Sequence, residues 1–122
     1  MLSHHRQDRG TLSYVEFADL HFSPKRMYYI TGVPKGEVRG NHGHYKDQQY
    51  LVCIQGKIKV VMISKEDREE KVLNPGEHAF LDSMVWGEQE YLTGDDIMLV
   101  LCSTNFDKND YITDIDEILN PK

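Results

Sequence analysis

Two histidines one residue apart, His42 and His44, are the part of this chain best suited to chemistry. They sit in a spaced frame: Gly36, five residues, His42, one residue, His44, four residues, Gln49, six residues, Gly56. Residues i and i+2 of a β-strand project from the same face, so both imidazoles enter one space. Two convergent imidazoles suit either metal ligation or proton transfer. With an ordinary pKa of about 6.5, an imidazole exists in both forms at neutral pH, and positioned proton transfer is worth roughly 10²–10⁴-fold in rate. Four cations gather near the pair, at Lys25, Arg26, Arg39 and Lys46, and Tyr28-Tyr29 turns one phenol inward whichever parity holds. No serine or cysteine stands in a nucleophile frame, and no glycine-rich phosphate loop is present. Proton movement beside a carbonyl is the chemistry that fits. His4, His5, His21 and His78 lack such a frame and read as surface or core residues.

The spacing around the pair resembles the first cupin motif, Gly-x5-His-x-His-x(3,4)-Glu-x6-Gly, with Gln49 at the acidic position. In a metal cupin both histidines, that glutamate and a later histidine hold a divalent ion. An amide oxygen is a weak, uncharged ligand for a transition metal. The later histidine is also missing: in Asp82-Ser83-Met84-Val85-Trp86-Gly87-Glu88, the ligand position falls on Gly87, and Glu88 points to the opposite face by parity. Two imidazoles alone hold an ion weakly. Neither a metal nor any other cofactor is expected.

Placing these residues requires strands. Apolar or alternating runs separated by turn signals occupy Thr11 to Phe17, Lys25 to Thr31, Gln49 to Ile54, Lys57 to Ile63, His78 to Leu81 and Asp96 to Ser103. Gly56 and Asn74-Pro75-Gly76 mark turns. This rhythm predicts an all-β chain, a cupin or jelly-roll antiparallel barrel, with a short C-terminal helix within Asn109 to Leu119. If the histidines face inward, Gln49, Leu51 and Cys53 share that interior, while Tyr50, Val52 and Ile54 face out. So apolar an outer face calls for a second sheet layer or a subunit interface.

A chain of 122 residues is expected to form a single cupin domain over 1–122. No apolar run approaches the roughly 20 residues that cross a bilayer. The start, MLSHHRQDRG, has no apolar core of a signal peptide, so a cytoplasmic location is expected and Cys53 and Cys102 read as buried thiols. A formal net charge of −6 argues against a nucleic-acid surface but not against an anionic small molecule.

Over nearly its whole length the chain resembles the sugar 3,4-ketoisomerases, metal-free cupins of deoxysugar biosynthesis. The resemblance is carried by Asp8-Arg9-Gly10-x-Leu12, Lys25-Arg26-x-Tyr28-Tyr29-Ile30, Arg39-Gly40-x-His42-x-His44, then Gln49, Leu51, Cys53 and Gly56. It continues through Trp86-x-Glu88, Leu99-Val100-Leu101-x-Ser103, Asp107 and Asp110-Tyr111-Ile112. It implies an isomerase that moves the ketone of a dTDP-linked 4-keto-6-deoxy-hexose from C4 to C3 through an enediol. Carried over by position, His42 and His44 are acid/base residues, Tyr28 and Arg39 complete the catalytic set, and Arg26, Gln49, Lys46 and Trp86 bind substrate. It also implies a homodimer formed by exchange of an N-terminal strand. The chain departs from the family pattern in His-Gly-His for His-Ala-His, in Tyr45 where lysine is common, and in Gly87 where a histidine often follows the tryptophan. Two other functions share the barrel: a sugar-nucleotide binding module without activity, and a sugar-nucleotide 3,5-epimerase, whose histidine–aspartate frame is not found here.

Overall fold

A computed structural model describes residues 1–121. Eleven strands follow in order: β1 (Ser3–Gln7), β2 (Gly10–Tyr14), β3 (Arg26–Ile30), β4 (Val38–His44), β5 (Gln49–Gln55), β6 (Ile58–Ile63), β7 (Arg68–Leu73), β8 (His78–Leu81), β9 (Trp86–Tyr91), β10 (Ile97–Cys102) and β11 (Tyr111–Ile112). Among the described residues one α-helix, α1 (Asp116–Leu119), follows them. A four-stranded sheet, ordered β3-β10-β5-β8, faces a five-stranded one, ordered β11-β4-β9-β6-β7, and every pairing is antiparallel. Both sheets feed one core, in which Leu51, Cys53, Met98 and Val100 meet Ile58, Val60, Leu73 and Tyr91. The all-β jelly-roll expectation holds.

The turns that join the layers use residues suited to them. Gly56 between β5 and β6 has φ +86°, a conformation that costs a side chain dearly. A Cβ there would also sit 2.9 Å from Cα of Asp96, whose buried carboxylate caps the N–H groups of Lys57, Thr93 and Gly94.

Along β5 the expected parity is observed. Gln49, Leu51 and Cys53 turn inward, and the alternate residues turn out. The outer face is covered differently from expectation, however. Tyr50 is buried by the chain itself: its hydroxyl accepts from the N–H of His21, and its ring packs on Phe22 and Phe80. Ile54 remains exposed, as do Met27 and Tyr29 on the adjacent edge of the sheet.

The N-terminal end differs from the sequence expectation. The N-terminal strand stops at Tyr14 and gives way to a 3₁₀ turn at Phe17–Asp19, and it pairs with β1, which was not expected. Every residue of this hairpin is exposed. At the other end, the short helix expected within Asn109 to Leu119 is present as the four residues of α1, and a 3₁₀ turn and β11 precede it. Tertiary contacts override the local propensity. Tyr111 and Ile112 pair with His44 and Gly43, and Ile112 and Ile118 are buried against Trp86. The Asp110 carboxylate accepts from the backbone N–H groups of Lys46 and Asp47.

Candidate active site

The sheets splay at one end around a cavity of about 300 Å³. Its apolar floor is Ile30, Leu51, Leu81 and Met98, and its polar wall carries Arg26, Tyr28, Arg39, His42, Gln49, Gln89 and Tyr111. Five of the eight residues expected in the site therefore line it: Arg26, Tyr28, Arg39, His42 and Gln49.

Strand β4 presents two of them by means of an irregularity. Arg39 and His42 differ in parity, so a regular strand would send them to opposite faces. The register against β9 shifts between Gly40 and His42, and Asn41 adopts φ +57°. This bulge inserts one residue and lets both side chains reach the cavity. Glycine is required beside it, because a Cβ on Gly40 would sit 2.8 Å from the carbonyl oxygen of Gly87.

The two imidazoles play different parts in the geometry. The Nδ1 of His42 lies 2.9 Å from the carbonyl oxygen of Gly40. A carbonyl only accepts, so Nδ1 carries the proton and Nε2 keeps the free lone pair. His44 stands one layer back and is 3% exposed, with its ring centroid 5.0 Å from that of His42 and the planes nearly perpendicular. Burial, and next the proximity of His42, push the pKa of His44 down, against the opposing pull of Asp47 and Asp110. It is a neutral imidazole at physiological pH, and its Nε2 is buried without a partner among the described residues.

Two phenols line the same cavity. Burial raises the pKa of Tyr28 far above the ordinary tyrosine range, so it stays protonated and can donate a hydrogen bond. Tyr111 packs its ring 5.0 Å from His42 and 4.8 Å from His44. The guanidinium of Arg26 lies 5.5 Å from the ring centre of Tyr28 and 5.7 Å from that of Phe106, a cation held between aromatic faces at the cavity wall.

Three expected residues are placed elsewhere. His44 abuts His42 without lining the cavity. Trp86 is turned to the opposite face of β9, where it is buried with Ile112 and Ile118 and donates Nε1–H to Glu88 at 2.9 Å. The alternation that directs Gly87 and Gln89 into the cavity sends Trp86 and Glu88 away from it. Lys46 is exposed, outside the cavity wall, with its backbone N–H bound to Asp110. Sequence reasoning missed Gln89, Phe106, Tyr111 and the carboxylate of Asp47. Gln89 was readable by parity from Gly87; the other three are brought in by connections between distant segments. Gly87 is closely packed, since a Cβ there would meet Leu81 Cδ2 at 2.8 Å. Among the described residues, no group of three or more His, Cys, Asp and Glu is arranged to hold a metal ion.

The chain is similar to proteins of known function. A TDP-4-oxo-6-deoxy-α-D-glucose-3,4-oxoisomerase from Aneurinibacillus thermoaerophilus is 36% identical over 110 residues, covering 88% of this chain and 79% of the relative. The crystal structure of QdtA, a sugar 3,4-ketoisomerase from Thermoanaerobacterium thermosaccharolyticum in complex with TDP, superposes with a TM-score of 0.90 at 32% identity, over 98% of this chain and 88% of that one. A single-site variant of that enzyme, in complex with TDP-4-keto-6-deoxyglucose, gives a TM-score of 0.89 at 32% identity over 98% and 91%. All of residues 1–122 match the family described as FdtA: WxcM-like, C-terminal, and the chain belongs to that family.

Proposed function

We propose that this chain is a sugar-nucleotide 3,4-ketoisomerase, converting a TDP-linked 4-keto-6-deoxy-hexose into its 3-keto isomer. The observation that carries this reading is the committed tautomer of His42. Its Nδ1–H is engaged by Gly40, so a free basic nitrogen stands in a cavity beside a neutral imidazole and two phenols.

The C4 ketone acidifies the hydrogen on C3. Nε2 of His42 takes that proton, the C3–H electron pair becomes the C3=C4 double bond, and the carbonyl electrons move onto O4. Tyr28 donates a hydrogen bond to this oxyanion and Arg39 supplies positive charge, the kind of preorganised stabilisation that lowers such barriers most. Protonation of O4 gives the enediol. Loss of the O3 proton and delivery of a proton to C4 then leave a ketone at C3 and a hydroxyl at C4, with no net gain or loss of atoms. His44 supports His42 as a neutral partner in this shuttle. Arg26 suits the diphosphate, and Gln49 the sugar. Lys46 and Trp86 have no part in it, since one lies outside the cavity and the other is packed on the far face of β9.

The chain is read as one cupin domain that works as a homodimer in the cytoplasm. The exposed hairpin and the exposed Met27, Tyr29 and Ile54 support pairing, and the free buried thiols Cys53 and Cys102 suit a reducing compartment. No helix among the described residues is long and apolar enough to cross a membrane.

The test is NMR of the products after incubation with TDP-4-keto-6-deoxyglucose. A new 3-keto sugar nucleotide is expected. Binding without turnover would instead make the chain a binding module, and exchange at C3 and C5 with the ketone left at C4 would make it an epimerase.

A further inference from the structure

Asp47 is 1% exposed, and its carboxylate has no place in the chemistry above. Its two oxygens divide their partners. Oδ1 accepts from the backbone N–H of Thr104 at 3.0 Å, the Thr104 hydroxyl at 2.9 Å and the Ser103 hydroxyl at 3.3 Å, which ties it to the segment after β10. Oδ2 accepts from Nε2 of Gln49 at 2.9 Å and from Nη2 of Arg26 at 3.4 Å. Both donors on this second oxygen line the cavity. Burying a carboxylate is costly unless hydrogen-bond donors surround it, and five surround this one.

The bond to Gln49 decides which way its amide points. Reversed, the amide would set two oxygen acceptors 2.9 Å apart, so the NH₂ group faces Asp47. Oε1 is left over, and it accepts no hydrogen bond from any described residue. Gln49 thus offers the cavity an acceptor, which matches a sugar hydroxyl and not a ketone. The same neighbour explains why an amide stands where metal cupins place glutamate: a second carboxylate would confront Asp47 at hydrogen-bond distance. Arg26 is held on its third side by Asp47, and its Nε is a buried donor without a partner among the described residues.

We propose that Asp47 is a positioning residue, which orients Gln49 to accept from a substrate hydroxyl and holds Arg26 to receive the diphosphate. This rests on the sugar-nucleotide reading, and the experiment separates the two. TDP affinity is measured by calorimetry for wild type, Asp47→Asn, Arg26→Gln and the double variant, each checked for folding by thermal unfolding. Hydrogen bonds to charged groups predict that Arg26→Gln binds about tenfold or more weakly, and Asp47→Asn several-fold, roughly threefold to tenfold. Because Asp47 acts through Arg26, the double variant binds no more weakly than Arg26→Gln alone. Unchanged affinity in Asp47→Asn, or additive losses, would overturn the proposal. The second measurement needs neither ligand nor an altered Asp47. In ¹H–¹⁵N spectra of the free wild-type protein, the side-chain amide of Gln49, identified by its loss in Gln49→Leu, is expected to be protected from solvent exchange. Exchange at the rate of an exposed amide would refute the Gln49 orientation. If the wild type fails to bind TDP while that amide is protected, the sugar-nucleotide reading falls and the Asp47–Gln49 arrangement stands.

Discussion

Replacing His42 by Asn isolates the proton-transfer step from nearly everything else in the cavity. Asn is polar, its Nδ2–H can still face the carbonyl of Gly40, and it leaves the bulge of β4 intact. What it lacks is a basic nitrogen. The usual worth of a positioned base is about 10²–10⁴-fold, or roughly 2.7–5.4 kcal/mol at 1.36 kcal/mol per decade. The structure places the effect in the upper half of that range, because no substitute base is at hand. His44 is the neighbouring imidazole, but it is sealed behind His42, and its lowered pKa makes it a weaker base. Tyr28 is held protonated by burial. A fall in kcat of about 10³–10⁴-fold is therefore expected, with KM within about threefold, as suits a contact made in the transition state. The assay is ¹H NMR in deuterium oxide with TDP-4-keto-6-deoxyglucose, which follows exchange at C3 and product formation together. Wild type should incorporate solvent deuterium at the reacting carbons, and the variant should do neither. Exchange at C3 at the wild-type rate would refute the assignment of His42.

Three further outcomes are expected. Activity should survive dialysis against EDTA, because Gln49 and Gly87 stand where two of four metal ligands would be; stoichiometric transition metal at His42 and His44, with activity lost on its removal, would overturn the mechanism. Sedimentation should show a species of twice 14.2 kDa that becomes a monomer when residues 1–14 are deleted, and a full-length chain sedimenting only as a monomer refutes the dimer. Stability should decline between about pH 7.5 and 5.5: the folded pKa of His44 lies below its unfolded value of about 6.5, so its stabilising contribution is complete above that value and is lost as pH falls towards the folded one. His78 acts in the same sense. Urea midpoints at the two pH values measure the slope, which should flatten in a His44→Asn, His78→Asn double variant.

The barrel was legible because its strands obey a period of two and its turns use residues that punctuate. The inward set Gln49, Leu51 and Cys53 follows from the histidine pair alone. Cover was harder to read. The face holding Tyr50 called for a second sheet layer or a subunit interface, since nothing local says that His21 and Phe22 fold back onto it from 28 to 29 residues away. In the C-terminal segment the short helix was legible and the strand before it was not. Its composition allows a helix, but two residues of it complete a sheet edge beside His44.

The residues of the site divide along the same physical line. Those readable in advance sit on strands whose alternation assigns a face: His42 and Gln49 are placed by parity, which left Tyr28 and Tyr29 open, while Trp86, expected to bind substrate, is turned out of the cavity by that same alternation. Arg39 reaches the cavity only through the bulge at Gly40–Asn41, which a strict alternation rule would have missed. Tyr111 and Asp47 lie further from such reasoning. Tyr111 meets His44 only because β11 closes onto β4, across 67 residues of chain. Asp47 sits between two strands, and its partners at 26, 49, 103 and 104 converge only when β3, β5 and β10 lie side by side. Neutral Gln49 is the point where the two kinds of residue meet. Read alone it removes a metal ligand; beside Asp47 it becomes a directed hydrogen-bond acceptor, and the same amide serves both ends.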